Sequence, residues 1–137
     1  MNKIIICTLC FCFLIVTGCE KDGKTVTTGV IGIVEYGQGD CMPSPATITR
    51  EYSNYTGKIY FVLKEDWDNL GNGDFTQLKN NSINVRIKQG KLSAELPVGI
   101  YLVIPEDVYM YSDENTITIQ FGEILNKDFK FFKCTSY

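Results

Sequence analysis

From residue 29 onward the chain alternates in short runs, with apolar residues at every second position. GVIGIVEY (29–36) is a β-branched apolar run. GKIYFVLK (57–64) sets Ile59, Phe61 and Leu63 on one face. SINVRIK (82–88) sets Ile83, Val85 and Ile87 against Asn84, Arg86 and Lys88. KLSAEL (91–96) repeats the pattern with Leu92, Ala94 and Leu96, and IYLVI (100–104), NTITIQF (115–121) and DFKFFK (128–133) complete the set. A period of two gives each strand one buried and one wet face. Gln89-Gly90 and Gly99 supply turn positions between the runs. Short strands at this spacing predict an all-β fold, a single seven-stranded antiparallel β-sandwich. The exception is KEDWDNLGNGDFTQLKNN (64–81), where Asp74 and Gln77 have the spacing of a helix capping box. Gly71, Gly73 and Asn80-Asn81 interrupt it, so one or two short helical turns are expected around 65–80.

The first residues follow a different rule. After Lys3, the 13 residues from Ile4 to Val16 carry no charge. A membrane-spanning helix needs roughly 20 apolar residues, so this run has the length of a signal-peptide core. Val16-Thr17-Gly18-Cys19 comes directly after it and resembles a lipobox, where a bacterial lipoprotein signal peptide is cut before a cysteine that then carries lipid. The alternatives are an ordinary secretory signal or an uncleaved anchor. The lipobox reading divides the chain into a signal peptide (1–18), a polar tether (19–28) and one β-sandwich domain (29–137). It makes Cys19 a membrane anchor, since two or more acyl chains hold stably where one does not. Loss of Lys3 from the 13 basic residues leaves 12 against 16 acidic ones, a net charge of −4. That balance gives no electrostatic footprint for nucleic acid. Glu20-Lys21-Asp22 resembles the export signal of Bacteroidota surface lipoproteins. The expected location is the outer membrane, lipid-anchored, facing either the periplasm or the cell surface.

The chain has six cysteines. Cys7, Cys10 and Cys12 leave with the signal peptide, and Cys19 takes the lipid. Cys41 and Cys134 remain, and an even pair in an oxidising compartment predicts a disulfide; two free thiols are the alternative.

GKLSAELPVGIYLVI (90–104) resembles the signature of the transthyretin-like sandwich (prealbumin-like, Cna-B or carboxypeptidase regulatory-type), through Leu92, Leu96-Pro97, Gly99 and Tyr101. GVIGIV resembles the opening strand of that family, and TITIQFGEILNKDFKF (116–131) its close. The last strand, FKFFKC, lacks the Asn that an isopeptide bond between first and last strands requires in Cna-B domains; a Cys41–Cys134 bridge would clamp nearly the same ends. GQGDCMP (37–43) together with FKFFKCTSY (129–137) is similar to a group of small Bacteroidota lipoproteins of unassigned role, which implies an exported sandwich.

The candidate site residues are aromatic. Tyr52 and Tyr55 lie in a polar segment, Trp67 in a loop, and Tyr109 and Tyr111 in DVYMYS; exposed Tyr and Trp suit stacking on glycan or docking of protein. They also fill the rims of a small sandwich. Gly37, Gly39 and Asp40 in GQGDCMPSP read either as a functional loop or as a turn that presents Cys41. Glu65, Asp66, Asp68, Asn69, Asn72 and Asp74 offer oxygen ligands for Ca²⁺, but Leu70 and Gln77 occupy EF-hand ligand positions; a solvated loop is the plainer reading. With no histidine in the chain and no nucleophile beside a base, catalysis is not expected, and neither a metal nor another cofactor is. The expected role is a membrane-anchored, non-enzymatic binding or adaptor module for protein or glycan. The alternatives are a structural component of an envelope assembly and an inhibitor of a hydrolase.

Overall fold

The computed structural model describes residues 25–41, 50–108 and 113–136. Within these residues nine strands form two facing sheets. Sheet I is centred on β1 (Gly29–Asp40), which pairs with β2 (Ser53–Asn54), β5 (Lys91–Glu95), β8 (Ile124–Asn126) and β9 (Phe129–Ser136). Sheet II has the order β4-β3-β6-β7, from β4 (Ile83–Ile87), β3 (Gly57–Leu63), β6 (Gly99–Pro105) and β7 (Thr116–Ile119), all antiparallel.

Two features differ from the expected seven antiparallel strands. The first is the count: β2 is two residues long and β8 three, too short for a period to show in the sequence. The second is direction. β8 and β9 both run parallel to β1, in one continuous register from Gly29↔Ile124 through Val34↔Phe129 to Gly39↔Cys134. They are a single run along one edge of β1, broken only at Lys127-Asp128. There the Lys127 N–H donates to Ile31 O at 2.9 Å, and the Ile33 N–H donates to Asp128 Oδ1 at 2.7 Å. A side-chain carboxylate thus takes the place of a backbone carbonyl at the break. Gly32 stands opposite; a Cβ there would lie 2.0 Å from Lys127 O.

The core lies between the sheets. Val30, Val34, Leu92, Ala94, Phe129 and Phe131 of sheet I meet Ile59, Phe61, Ile87, Tyr101, Val103, Ile117 and Ile119 of sheet II. The alternation read from residues 91–96 therefore points the expected side chains, Leu92, Ala94 and Leu96, inward. β3 is buried on both faces. Its Val62, with Leu102 and Ile104 of β6, lies in a second cluster with Trp67, Phe75 and Leu78. These come from α1 (Lys64–Asp68) and α2 (Phe75–Asn80), the short helices expected between 65 and 80. Asp74 caps α2, accepting from the N–H groups of Thr76 at 2.8 Å and Gln77 at 3.4 Å, the N-cap half of the predicted box. Lys79 anchors the same helix: it is buried, its ammonium donates to Glu106 O at 2.8 Å, and it sits 5.1 Å from the Tyr60 ring centroid. Burial lowers the pKa of that ammonium.

Leu63 and Ile83, expected inside, lie at the end of β3 and the start of β4 and are exposed. Periodicity places a side chain on a face, but it cannot tell where the opposing sheet ends.

The β4–β5 hairpin passes from sheet II to sheet I through Gln89 (φ 52°) and Gly90 (φ 74°). Positive φ at both central positions is the type I′ requirement. Gln89 pays the left-handed penalty of a residue with a Cβ. Gln89→Gly is expected to raise the unfolding free energy by about 0.5–1 kcal/mol, the backbone strain exceeding the added chain entropy. Urea denaturation checks this, and an unchanged or lower midpoint would contradict it.

Candidate binding face

The outer face of sheet II lies under the two helices, whereas among the described residues neither helix packs on the outer face of sheet I. The register assigns the side chains of that open face. On β1 the outward positions include Ile31, Ile33, Glu35, Gly37 and Gly39, and on β9 they are Lys130, Phe132 and Cys134. Gly37 pairs with Phe132, and Gly39 with Cys134.

These glycines explain GQGD. The stretch is strand, not loop, and the two missing side chains leave a trough in which the Phe132 ring lies. A Cβ on Gly37 would come within 3.0 Å of that ring and 2.4 Å of Glu51 O, and one on Gly39 within 3.3 Å of the ring. An aromatic laid across a strand glycine restores the packing that the glycine lacks. Tyr52, just before β2, meets Phe132 edge-on with centroids 5.9 Å apart. Arg50 stands over Phe132 with Cζ 4.5 Å from the centroid. Lys130 stands 5.2 Å from the Tyr52 centroid and pairs with Glu35 at 3.1 Å. The result is one connected row across the sheet: Glu35, Lys130, Tyr52, Phe132, Arg50. Each cation–π contact contributes about 0.5–1 kcal/mol at an exposed site. A shallow depression lined by Tyr36, Gly37, Gln38, Glu51, Tyr52 and Ser53 borders the row. Chemically the row offers ring edges, a guanidinium and an ammonium. That set suits a flat or anionic group.

At the end of the row, Cys41 and Cys134 lie at disulfide distance with Cα atoms 5.3 Å apart, one directly after β1 and the other within β9.

The other predicted aromatics separate. Trp67 is half-buried and packs edge-on against Phe75, centroids 4.9 Å apart at 89°, so it belongs to the helical cover of sheet II, away from Tyr52. Tyr55 is a correction to the exposed-aromatic reading. It is buried in the main core, where its hydroxyl donates to Lys58 O at 3.0 Å and its ring meets Tyr36 at 5.5 Å. Its segment is polar by composition, but Tyr55 turns inward because β1 takes its backbone: the Tyr55 N–H donates to Val34 O at 2.9 Å. Tyr109, Tyr111 and Cys19 lie outside the described residues, as do residues 42–49, which include the MPSP end of GQGDCMPSP. Among the described residues no three His, Cys, Asp or Glu side chains group as metal ligands. In the acidic stretch Asp68 pairs with Lys64 and Asp74 caps α2.

Phe132, Arg50, Lys130 and Glu35 were missed in the sequence. The signal was present for Phe132: in DFKFFK it falls out of phase with Phe129 and Phe131, which makes it a wet-face aromatic opposite a glycine-rich strand.

Burial pushes the Tyr55 phenol from 10.0 up to about 12. Between those values the unfolded chain loses its proton while the folded chain keeps it, so stability falls as pH rises through this window. Tyr55→Phe is expected to cost about 1 kcal/mol at pH 7, by removing one of the two hydrogen bonds that Lys58 O accepts, the one from the Glu106 N–H at 3.0 Å remaining, and to flatten the alkaline fall between pH 10 and 12. Urea titrations at pH 7 to 12 check this; an alkaline limb of unchanged slope would contradict it.

Comparison with protein-family models, with curated proteins and with solved structures gave no match to this chain.

Proposed function

We propose that this chain is an outer-membrane lipoprotein, anchored through Cys19, whose transthyretin-like β-sandwich is a non-enzymatic binding or adaptor module for protein or glycan. The observation that carries the binding reading is the open outer face of sheet I with its row from Glu35 to Arg50. The row joins two rings, two cations and one carboxylate beside a shallow depression, the composition expected of a polar docking surface with aromatic anchors. The lipobox Val16-Thr17-Gly18-Cys19 supports the anchor. Two facing sheets, a first strand running beside the last, and the Pro97–Gly99 turn between β5 and β6 speak for the transthyretin-like resemblance.

The test is a saturation titration of the protein against arrayed glycans and immobilised envelope proteins. Tyr52→Ala and Phe132→Ala are each expected to weaken a saturable interaction about tenfold, as loss of an anchor side chain does. Trp67→Ala is expected to lower stability and leave affinity unchanged, because its ring packs on Phe75. Saturable binding that survives both sheet I substitutions would rule out this face, and loss of binding in Trp67→Ala alone would move the site to the helices.

A further inference from the structure

At the end of the sandwich where the chain enters β1, exposed apolar side chains stand on hydrogen-bonded backbone. Three pieces of backbone meet there: Thr27-Thr28, the Pro97-Val98 turn between β5 and β6, and residues 120–123 between β7 and β8. Thr28 ties them together. Its Oγ1 accepts from the Gly122 N–H at 3.0 Å, and its carbonyl accepts from the Leu96 N–H at 3.0 Å. The next N–H, that of Gly29, donates to Glu123 O at 3.1 Å. On this fixed frame Phe121 is 90% exposed and Val98 58% exposed. They line one shallow, mainly apolar depression with Thr28, Glu95, Leu96 and Pro97, and Val98 also borders a second depression, where exposed Ile100 and Leu63 stand beside the polar Lys64, Glu65, Asp68 and Asn69. A single exposed apolar side chain is ordinary, but a contiguous apolar surface marks an interaction site.

We infer that this tip docks on the lipid surface to which the chain is tethered, with Phe121 inserted at the bilayer interface. The inference rests on the Cys19 anchor proposed above. Thr28 comes nine positions after Cys19, so its Cα stays within about 32 Å of the Cys19 Cα. β1 leads away from the tip for 12 residues, which puts the Cys41–Cys134 end about 35 Å from the tip. The end that bears the tether is the one on which Phe121 and Val98 stand exposed. An aromatic ring flanked by aliphatic side chains is the residue set that favours the headgroup boundary. Glu95 and Glu123 are exposed beside it, so the surface matches zwitterionic rather than anionic lipid. Docked this way, the row on sheet I stands off the bilayer and stays open to a ligand.

The test uses the full chain processed in cells, reconstituted in phosphatidylcholine vesicles with brominated acyl chains, with the mass of the Cys19 peptide measured on the same sample. Phe121→Trp adds an emission to that of Trp67. The tip placement predicts that about half or more of the added emission is quenched, as contact with acyl chains requires. Thr135→Trp, at the opposite end, is expected to keep its emission. Lipid on Cys19 with an unquenched Phe121→Trp, or equal quenching at both positions, would overturn the docking and leave the tether standing. A Cys19 peptide without lipid would overturn the tether itself, and the docking with it.

Discussion

Replacing Cys41 and Cys134 together by alanine is expected to lower the unfolding free energy by about 4 kcal/mol. The two residues are separated by 93 positions, and closing a loop of that length removes roughly 4.5 kcal/mol of chain entropy from the unfolded state. A small domain has only about 5–15 kcal/mol of net stability, so the expected fall in thermal midpoint is about 15 °C or more. The location of the pair adds to this. Cys41 comes directly after β1 and Cys134 lies in β9, the two strands whose parallel pairing joins the ends of the fold. Parallel pairing makes no local hairpin and forms against the full loop-closure cost. The bridge therefore acts where the fold is entropically weakest. Calorimetry of the double variant, and of the parent with and without reductant, measures the effect. A midpoint that moves by only a few degrees, or two freely alkylated thiols in natively purified protein, would contradict this account.

Gly32→Ala is expected to cost about 3 kcal/mol. The added methyl would lie 2.0 Å from Lys127 O, 2.7 Å from Lys127 C and 3.2 Å from Asp128 Oδ1. None of the backbone atoms can swing aside as a flexible side-chain end does. Relief requires the Lys127-Asp128 break to move off β1, and with it the bonds from the Lys127 N–H to Ile31 O and from the Ile33 N–H to Asp128 Oδ1. An unpaired N–H at a strand centre costs about 1–3 kcal/mol by itself. Gly39→Ala is the control. Among the described residues its Cβ meets only the Phe132 ring, at 3.3 Å, so the expected cost is below about 1 kcal/mol. Equal urea midpoints for the two variants would show that the β8–β9 run does not press on β1 as described.

Much of the sheet was legible because alternation depends on one strand and one neighbouring layer. Leu92, Ala94 and Leu96 alternate with exposed residues, and all three are buried. The Asp74 cap was legible for the same reason: a cap is a local event within one helical turn. Direction and partner were not. Nothing in DFKFFK distinguishes a strand beside β1 running parallel from one running antiparallel, because pairing depends on residues about a hundred positions away. The double burial of β3 was hidden as well. Its Tyr60 and Val62 read as the wet face until α1 and α2 cover them.

The site was legible only in part, and for a related reason. Tyr52 was picked out as an aromatic in a polar segment, and so was Tyr55 three residues later, but the pairing of that segment with β1 sends one outward and the other into the core. Gly37 and Gly39 signalled something unusual in the backbone. The cause is the Phe132 ring laid across them from another strand, and a sequence does not show what crosses a glycine. Phe121 ended an alternating run and read as a strand residue; β7 stops at Ile119, and Phe121 stands on a turn past the sheet.

The central claim is that this sandwich is held to a membrane by lipid on Cys19. Intact-mass and peptide mass spectrometry of the protein purified from cell membranes tests it most directly. The account predicts a chain that begins at Cys19 and carries a thioether-linked diacylglyceryl group, with residues 1–18 absent. A chain that retains Met1, or a Cys19 peptide of unmodified mass, would contradict it.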